Sequence, residues 1–393
     1  MPAAADLFTL DGSAELREEY NTNWRLTSLP HDSVFITTAI GTLAASRETE
    51  TSRTSLAATL RPYLVTGESG ANRIDGSFSA DTRHVFERQE LSAAFLFARS
   101  SLILTQLQQT GVLLTQTPQN LYSFTPGWTY ALDERTKARL AYTFSAARYP
   151  DPPPGQFDYD NQQASLTLTR NFSPTIDGFV TASQSRFDTI PSANQTTSTQ
   201  IAVGASGSFT ERLTGSLAIG GYQTTVRSTQ SFLVCPGPIA DCLSGAIPIV
   251  PVRADQRTSN QGYSFDGSLA WRQSERTTWS GLLSQSLQPS GSGAVYLVWR
   301  AGASVTHDFH ERLSAQAGVA AIASRLAGTS ERLGEQRTYS ASASLAWRAT
   351  RNWRIAGGVQ GTRVEFSSSQ ESVDAIAVFL SAGYVWDGVS ISR

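Results

Sequence analysis

The chain carries little charge, almost no lysine and no long hydrophobic run. Asp, Glu, Lys and Arg make up 16% of its 393 residues and sum to a net charge of −2, well under the roughly 25% charged content of an average soluble domain. That balance gives no electrostatic footprint for nucleic acid. The longest apolar stretch, residues 91–107, is broken by Arg99 and several Ser and Gln. A membrane-crossing helix needs about 18 or more apolar residues in a row, so none is expected. Pro2, Ala3, Ala4 and Ala5 lead straight into polar sequence with no apolar leader. An exported form of this chain is then expected to be a mature chain with an added or mis-set start.

Chemistry-bearing motifs are scarce too. There is no glycine-rich phosphate loop, no Cys/His zinc spacing and no G-x-S-x-G elbow. The histidines are His31, His84, His307 and His310. His307 and His310 flank a short polar break, and their spacing on a strand turns them to opposite faces, which argues against a metal site. His31 and Asp32 are neighbours and diverge likewise; the bland reading, a capped loop, is preferred to a catalytic pair. No enzyme activity, cofactor or metal is expected. The two cysteines, Cys235 and Cys242, share one Pro/Gly-rich segment, and Pro236, Gly237 and Pro238 favour a tight reversal between them. A local disulfide, implying an oxidising compartment, is preferred to free thiols or metal.

What is abundant is alternation. Tyr339, Ala341, Ala343, Leu345 and Trp347 alternate with Ser340, Ser342, Ser344, Ala346 and Arg348, and Trp353, Ile355, Gly357 and Val359 continue the rhythm after a polar break. The same period recurs from Tyr263 to Arg272, from Val295 to Thr306 and around Leu140, Tyr142 and Phe144. Period two over eight to twelve residues reads as β-strand with one apolar face.

The breaks between strands take turns. Short ones fall near residues 50, 87–89, 133–136, 171–175, 210–212, 274–276, 310–312 and 350–352, and longer, irregular ones lie between them. Alternating loop length puts all tight turns at one end of a sheet. These breaks predict a closed antiparallel transmembrane β-barrel of about 18 strands, with tight periplasmic turns and longer extracellular loops. Its lipid-facing strands need only about 9 to 11 modestly apolar residues each, so Ala, Gly, Val and Leu suffice. The boundaries expected are a periplasmic tail at 1–6, the barrel at 7–388 with a long extracellular loop at 227–260 carrying the cysteines, and a C-terminal tail at 389–393.

Alternation also sorts side chains. Trp271, Trp279, Trp347, Trp353 and Trp386 fall near the tight-turn end, as an aromatic girdle should. Arg61, Arg139, Arg272, Arg300, Arg348 and Arg354 face inward as pore-lining candidates, with Asp75, Asp81 and Asp266 among the acids. Lys137 is the only lysine. A guanidinium binds carboxylates and sugar hydroxyls in planar, multidentate fashion, yet the same residues could equally brace the wall by pairing with Asp and Glu. Both readings stand.

The phrasing of "SLTLTRNFSPTIDGFVTASQSRF", "ASGSFTERLTGSLAIGGYQ" and "SASLAWRATRNWRIAGGVQG", with the opening "GSAELREEYNTNW", resembles the outer-membrane β-barrels encoded with exopolysaccharide assembly systems, including exosortase-linked loci. That resemblance implies an integral outer-membrane protein in exopolysaccharide export, with outer-membrane lipid, polysaccharide and periplasmic export components as partners. Three classes compete: a conduit for a polar polymer, a diffusion porin for small polar solutes, and a structural barrel that conducts little.

Overall fold

In the computed structural model the alternating segments are all strands. It describes residues 6–28, 32–67, 72–101, 117–191, 194–234, 250–327, 335–367 and 371–392. The first nine strands are β1 (Leu7–Asn21), β2 (Val34–Glu48), β3 (Ser52–Thr66), β4 (Arg73–Val85), β5 (Gln89–Ser101), β6 (Pro118–Ala131), β7 (Thr136–Arg148), β8 (Asp158–Ser173) and β9 (Ile176–Ile190). The second nine are β10 (Asn194–Thr210), β11 (Leu213–Val234), β12 (Val250–Arg272), β13 (Thr277–Pro289), β14 (Val295–His310), β15 (Leu313–Leu326), β16 (Gln336–Arg348), β17 (Trp353–Phe366) and β18 (Glu371–Ser392).

Each strand pairs antiparallel with its sequence neighbours, and β1 pairs with β18 from Leu7↔Ser392 to Asn21↔Ala377. The sheet is therefore a closed 18-stranded barrel. Closure removes the two edges that would otherwise expose unpaired N–H and C=O groups. Both described ends of the chain lie beside the tight turns, because Leu7 also pairs with Glu48 at the start of the first of them.

Two boundaries differ from those the sequence suggests. The expected loop at 227–260 is strand at both ends, since β11 and β12 stay paired up to Val234↔Val250. The sequence from Ser228 to Ser231 and from Arg253 to Asn260 is almost wholly polar and so hides its period; a paired backbone needs no apolar face where it meets water. The expected tail at 389–393 is likewise strand as far as Ser392. A bulge lets Asp11 alone oppose Asp387 and Gly388, and pairing resumes at Leu10↔Val389 and Phe8↔Ile391. The extra residue resets the alternation. Cys235, Cys242 and His31 lie outside the described residues.

Among the described residues, the buried apolar clusters lie at the end with the longer connections. Leu26 packs with Val364, Val373 and Ala375, Val34 packs with Val65, and Ala147, Tyr149, Tyr159 and Phe187 pack with Val295. This end is referred to below as the mouth.

Candidate functional site

The register separates two faces. One row of directly paired residues, Leu168, Val180, Val203, Ile219 and Phe265, crosses five strands on the outer face. Leu168, Val180, Val203 and Ile219 stay open to the surroundings, which an apolar row tolerates when its solvent is hydrocarbon. Near the tight turns Trp271 sits directly opposite Trp279, Trp347 opposite Ile355, and Trp353 stacks edge-on against Tyr384 at 5.2 Å. Trp386 lies over Gly12, where a β-carbon would collide with its ring. Trp128, which the sequence reading left out, joins the same rim beside Tyr130 at 5.9 Å. Two indole N–H groups there are satisfied by glutamine, Trp128 by Gln89 at 3.1 Å and Trp279 by Gln273 at 2.8 Å.

The opposite face lines the lumen and is dominated by hydroxyls that bond to one another across strands. Thr167 meets Thr181 at 2.9 Å, Ser216 meets Ser268 at 2.8 Å and Ser280 meets Ser304 at 2.6 Å. Strand alternation puts Arg61, Arg139, Arg272, Arg300, Arg348 and Arg354 on this face. They do not form one cluster. Arg139, Arg272, Arg348 and Arg354 lie close to the tight turns, whereas Arg61 and Arg300 lie towards the mouth. Arg348 and Arg354 are direct cross-strand partners, a like-charge juxtaposition that the sheet itself does not favour. Asp75 is opposite Arg61, Asp81 opposite Ser55, and Asp266 is flanked by Ala218 and Ser284.

The partners decide how these arginines can act. Arg17 pairs with Glu19 at 2.6 Å and Arg83 with Glu90 at 2.7 Å, both on the luminal face. Among the described residues the guanidinium groups of the six arginines named above make no hydrogen bond or ion pair, although backbone N–H groups such as those of Arg272 and Arg348 do. Arg17 and Arg83 are thus held by carboxylates of the wall, and the other six guanidinium groups are not. His307 bonds to Thr277 at 2.8 Å, and the backbone N–H of Arg312 donates to His310. Among the described residues no three metal-ligating side chains converge.

At the mouth the wall turns inward in two places. Residues 22–28 tuck inside the barrel, where Asn23 is fully buried and its amide donates to the carbonyls of Thr27 at 2.9 Å and Asp374 at 3.2 Å. Leu26, with φ of 51°, anchors this turn against Val364. The second place is the β13–β14 hairpin. Its tip reaches strands that are not its neighbours: Phe157 N–H donates to the Gly291 carbonyl at 2.7 Å, and the Asn194 amide donates to the Gly293 carbonyl at 3.2 Å. Val295 and Leu287 pack on Ala147, Tyr159 and Phe187 from β7, β8 and β9. Since β11 and β12 lie between these partners in the strand order, the hairpin leaves the wall and reaches inward over the mouth.

The inward seat of this hairpin leaves one signal in the sequence. Val295, Leu297, Val298 and Trp299 are apolar on both sides of the strand, and a strand covered on both faces reads as a continuous apolar run.

Comparison with known proteins gives one family match and a set of distant structural likenesses. Residues 253–383 match the family described as "Putative beta-barrel porin 2". No curated protein matches the sequence. Among solved structures, Acinetobacter baumannii OccAB4 is 8% identical with a TM-score of 0.49, covering 98% of each chain. The Pseudomonas aeruginosa outer membrane protein OpdK is 10% identical with a TM-score of 0.45, covering 96% of this chain and 99% of that one. The Escherichia coli ferric-catecholate import receptor Fiu is 11% identical with a TM-score of 0.46, covering 96% of this chain and 82% of that one. These likenesses carry no functional weight. The porin-family match, the apolar outer row and the aromatic rim together make the chain an integral outer-membrane β-barrel of porin-like build.

Proposed function

We propose that the barrel is a water-filled channel whose cargo is a large polar, hydroxyl-rich polymer, an exopolysaccharide leaving the cell. The observation that supports this most is the set of luminal arginines without protein partners, set in a wall of serine, threonine and glutamine. A moving polymer needs contacts that are many, weak and quickly released. Free guanidinium groups and hydroxyls supply them, whereas a wall of closed ion pairs would not. A disulfide between Cys235 and Cys242 belongs to the same proposal, as a covalent tie within the segment that joins β11 to β12.

The inward hairpin favours a second reading, a diffusion porin for small polar solutes, since a folded-in segment is what restricts such pores. One double variant separates the two. Arg300→Ser with Arg348→Ser should lower surface polysaccharide severalfold and leave heat stability nearly unchanged, because luminal changes tune selectivity more than insertion. Unchanged polysaccharide with altered ion selectivity in planar bilayers would favour the small-solute porin. A clear fall in melting temperature with both transport assays unchanged would make these arginines structural.

A further inference from the structure

The β12–β13 ladder stops before either strand does. Pairing runs from Arg272↔Thr278 up to Phe265↔Gln285 and ends there, yet β12 continues to Val250 and β13 to Pro289. Beyond that point β12 stays paired with β11, and β13 stays paired with β14. Between them the wall has a seam, opened because the hairpin has left it for the mouth.

The seam is closed by side chains instead of rungs. The Gln285 amide donates to the Tyr263 carbonyl at 2.8 Å, the group a further rung would use, and accepts from the Trp299 indole at 2.9 Å. The Arg325 guanidinium lies over the Trp299 ring at 4.9 Å. Gln285 is only 3% exposed although alternation turns it to the outer face. Tyr263, one step along the edge of β12, is 65% exposed.

The unused edges match. If the register of the existing ladder continued, Ser264 would meet Ser286 on the luminal side and Tyr263 would meet Leu287 on the outer side. That is polar inward and apolar outward, the pattern of the rest of the wall. The tip, Ser290-Gly291-Ser292-Gly293, holds a glycine at φ of 77° and is held inside by two hydrogen bonds and one apolar cluster. We infer that the hairpin has two seats, one docked across the mouth and one zipped onto β12, and that its passage between them narrows or widens the pore. Gln285 is the latch: its amide holds the Tyr263 carbonyl only while the rung above is missing. This inference rests on the channel reading above.

Cysteine pairs test it in the full-length barrel with Cys235 and Cys242 replaced by Ser. Leu287 now packs on the Tyr159–Phe187 cluster inside, while Tyr263 faces out. A disulfide between Tyr263→Cys and Leu287→Cys therefore needs the zipped seat, where directly opposed β-carbons come within bridging distance. Gly267→Cys with Leu283→Cys, already opposed in the ladder, is the control. Oxidation should cross-link both pairs, and the 263–287 bridge alone should raise single-channel conductance about twofold or more, reversed by reductant. Asn194→Ala, which removes a docking bond without touching the seam, should shift conductance in the same direction. A control that cross-links while 263–287 does not overturns the second seat. A 263–287 bridge with unchanged conductance overturns the gating role. Silence of every form in bilayers overturns the channel reading, and the cross-linking yield still decides the second seat.

Discussion

The two ends of this barrel are built by different rules. At the tight-turn end, connections are as short as residues 211–212, the aromatic residues face outward, and nearly every feature follows from a residue's immediate neighbours. At the mouth, Leu26, Phe157, Gly291 and Val295 reach partners far away in sequence and outside the ladder. The first end meets lipid headgroups and a turn, both of which act locally. The second end is closed in part by segments that leave the wall, and these find partners that adjacent strands do not supply.

The largest expected effect comes from removing an aromatic at the mouth. Phe187 is 2% exposed and stacks on Tyr159 at 5.2 Å. Phe187→Ala should cost about 3 kcal/mol of local docking, as buried Phe truncations do. Because the hairpin can open without unfolding the barrel, the loss should appear as roughly a hundredfold faster hydrogen exchange at residues 286–298. The same change at Phe172, 70% exposed beside a tight turn, should leave exchange across the barrel unaltered. Equal effects at the two positions would erase the distinction between the ends.

The same contrast explains what was legible in the sequence. Strand number, closure and the outward tryptophans came from period two and the short/long rhythm, because lipid and water impose alternation residue by residue. The alternation that sets Arg300 and Arg348 on the face opposite Ala301 and Trp347 is readable for that reason. Their lack of partners was not, since whether a guanidinium finds a carboxylate depends on neighbouring strands and rotamers. The hairpin's seat was hidden too. Ser290 to Gly293 reads as an ordinary turn, and only the doubly apolar run around Val298 hints that β14 is covered on both sides. The segment past Arg227 is hidden for the opposite reason, since Ser228 to Ser231 are strand without apolar alternation.

A middle-sized effect belongs to the tight-turn rim. Trp271 and Trp279 oppose each other there, each a little over 40% exposed. Trp279→Ala removes an interfacial ring and the hydrogen bond to Gln273, and should cost about 1 kcal/mol. Folding titrations into lipid vesicles would show it, while conductance and hairpin exchange stay as they were. A change in conductance would mean that the rim and the mouth are coupled, and the separation of the two ends would be wrong.

The smallest effect lies in the β6–β7 turn. The Asp133 carboxylate accepts the Arg135 backbone N–H at 2.7 Å, and this bond holds its pKa below the ordinary carboxylate range. A group depressed in the folded state stabilises above its unfolded pKa and loses that contribution as pH falls through the lower, folded value. The turn should therefore be firm at neutral pH and loosen only in acid, below about pH 4. Asp133→Asn keeps an acceptor oxygen at the same place but cannot titrate. In the natural chain, protection of the Arg135 amide, corrected for intrinsic exchange, should drop between pH 5 and pH 2, and in the variant it should stay level. The group is fully exposed, so the whole-barrel melting temperature should not register the change. Parallel profiles in the two chains would show that the carboxylate's charge does nothing for the turn. A loosening that spread to residues 289–295 would tie the two ends together by a route that none of the contacts at the mouth provides.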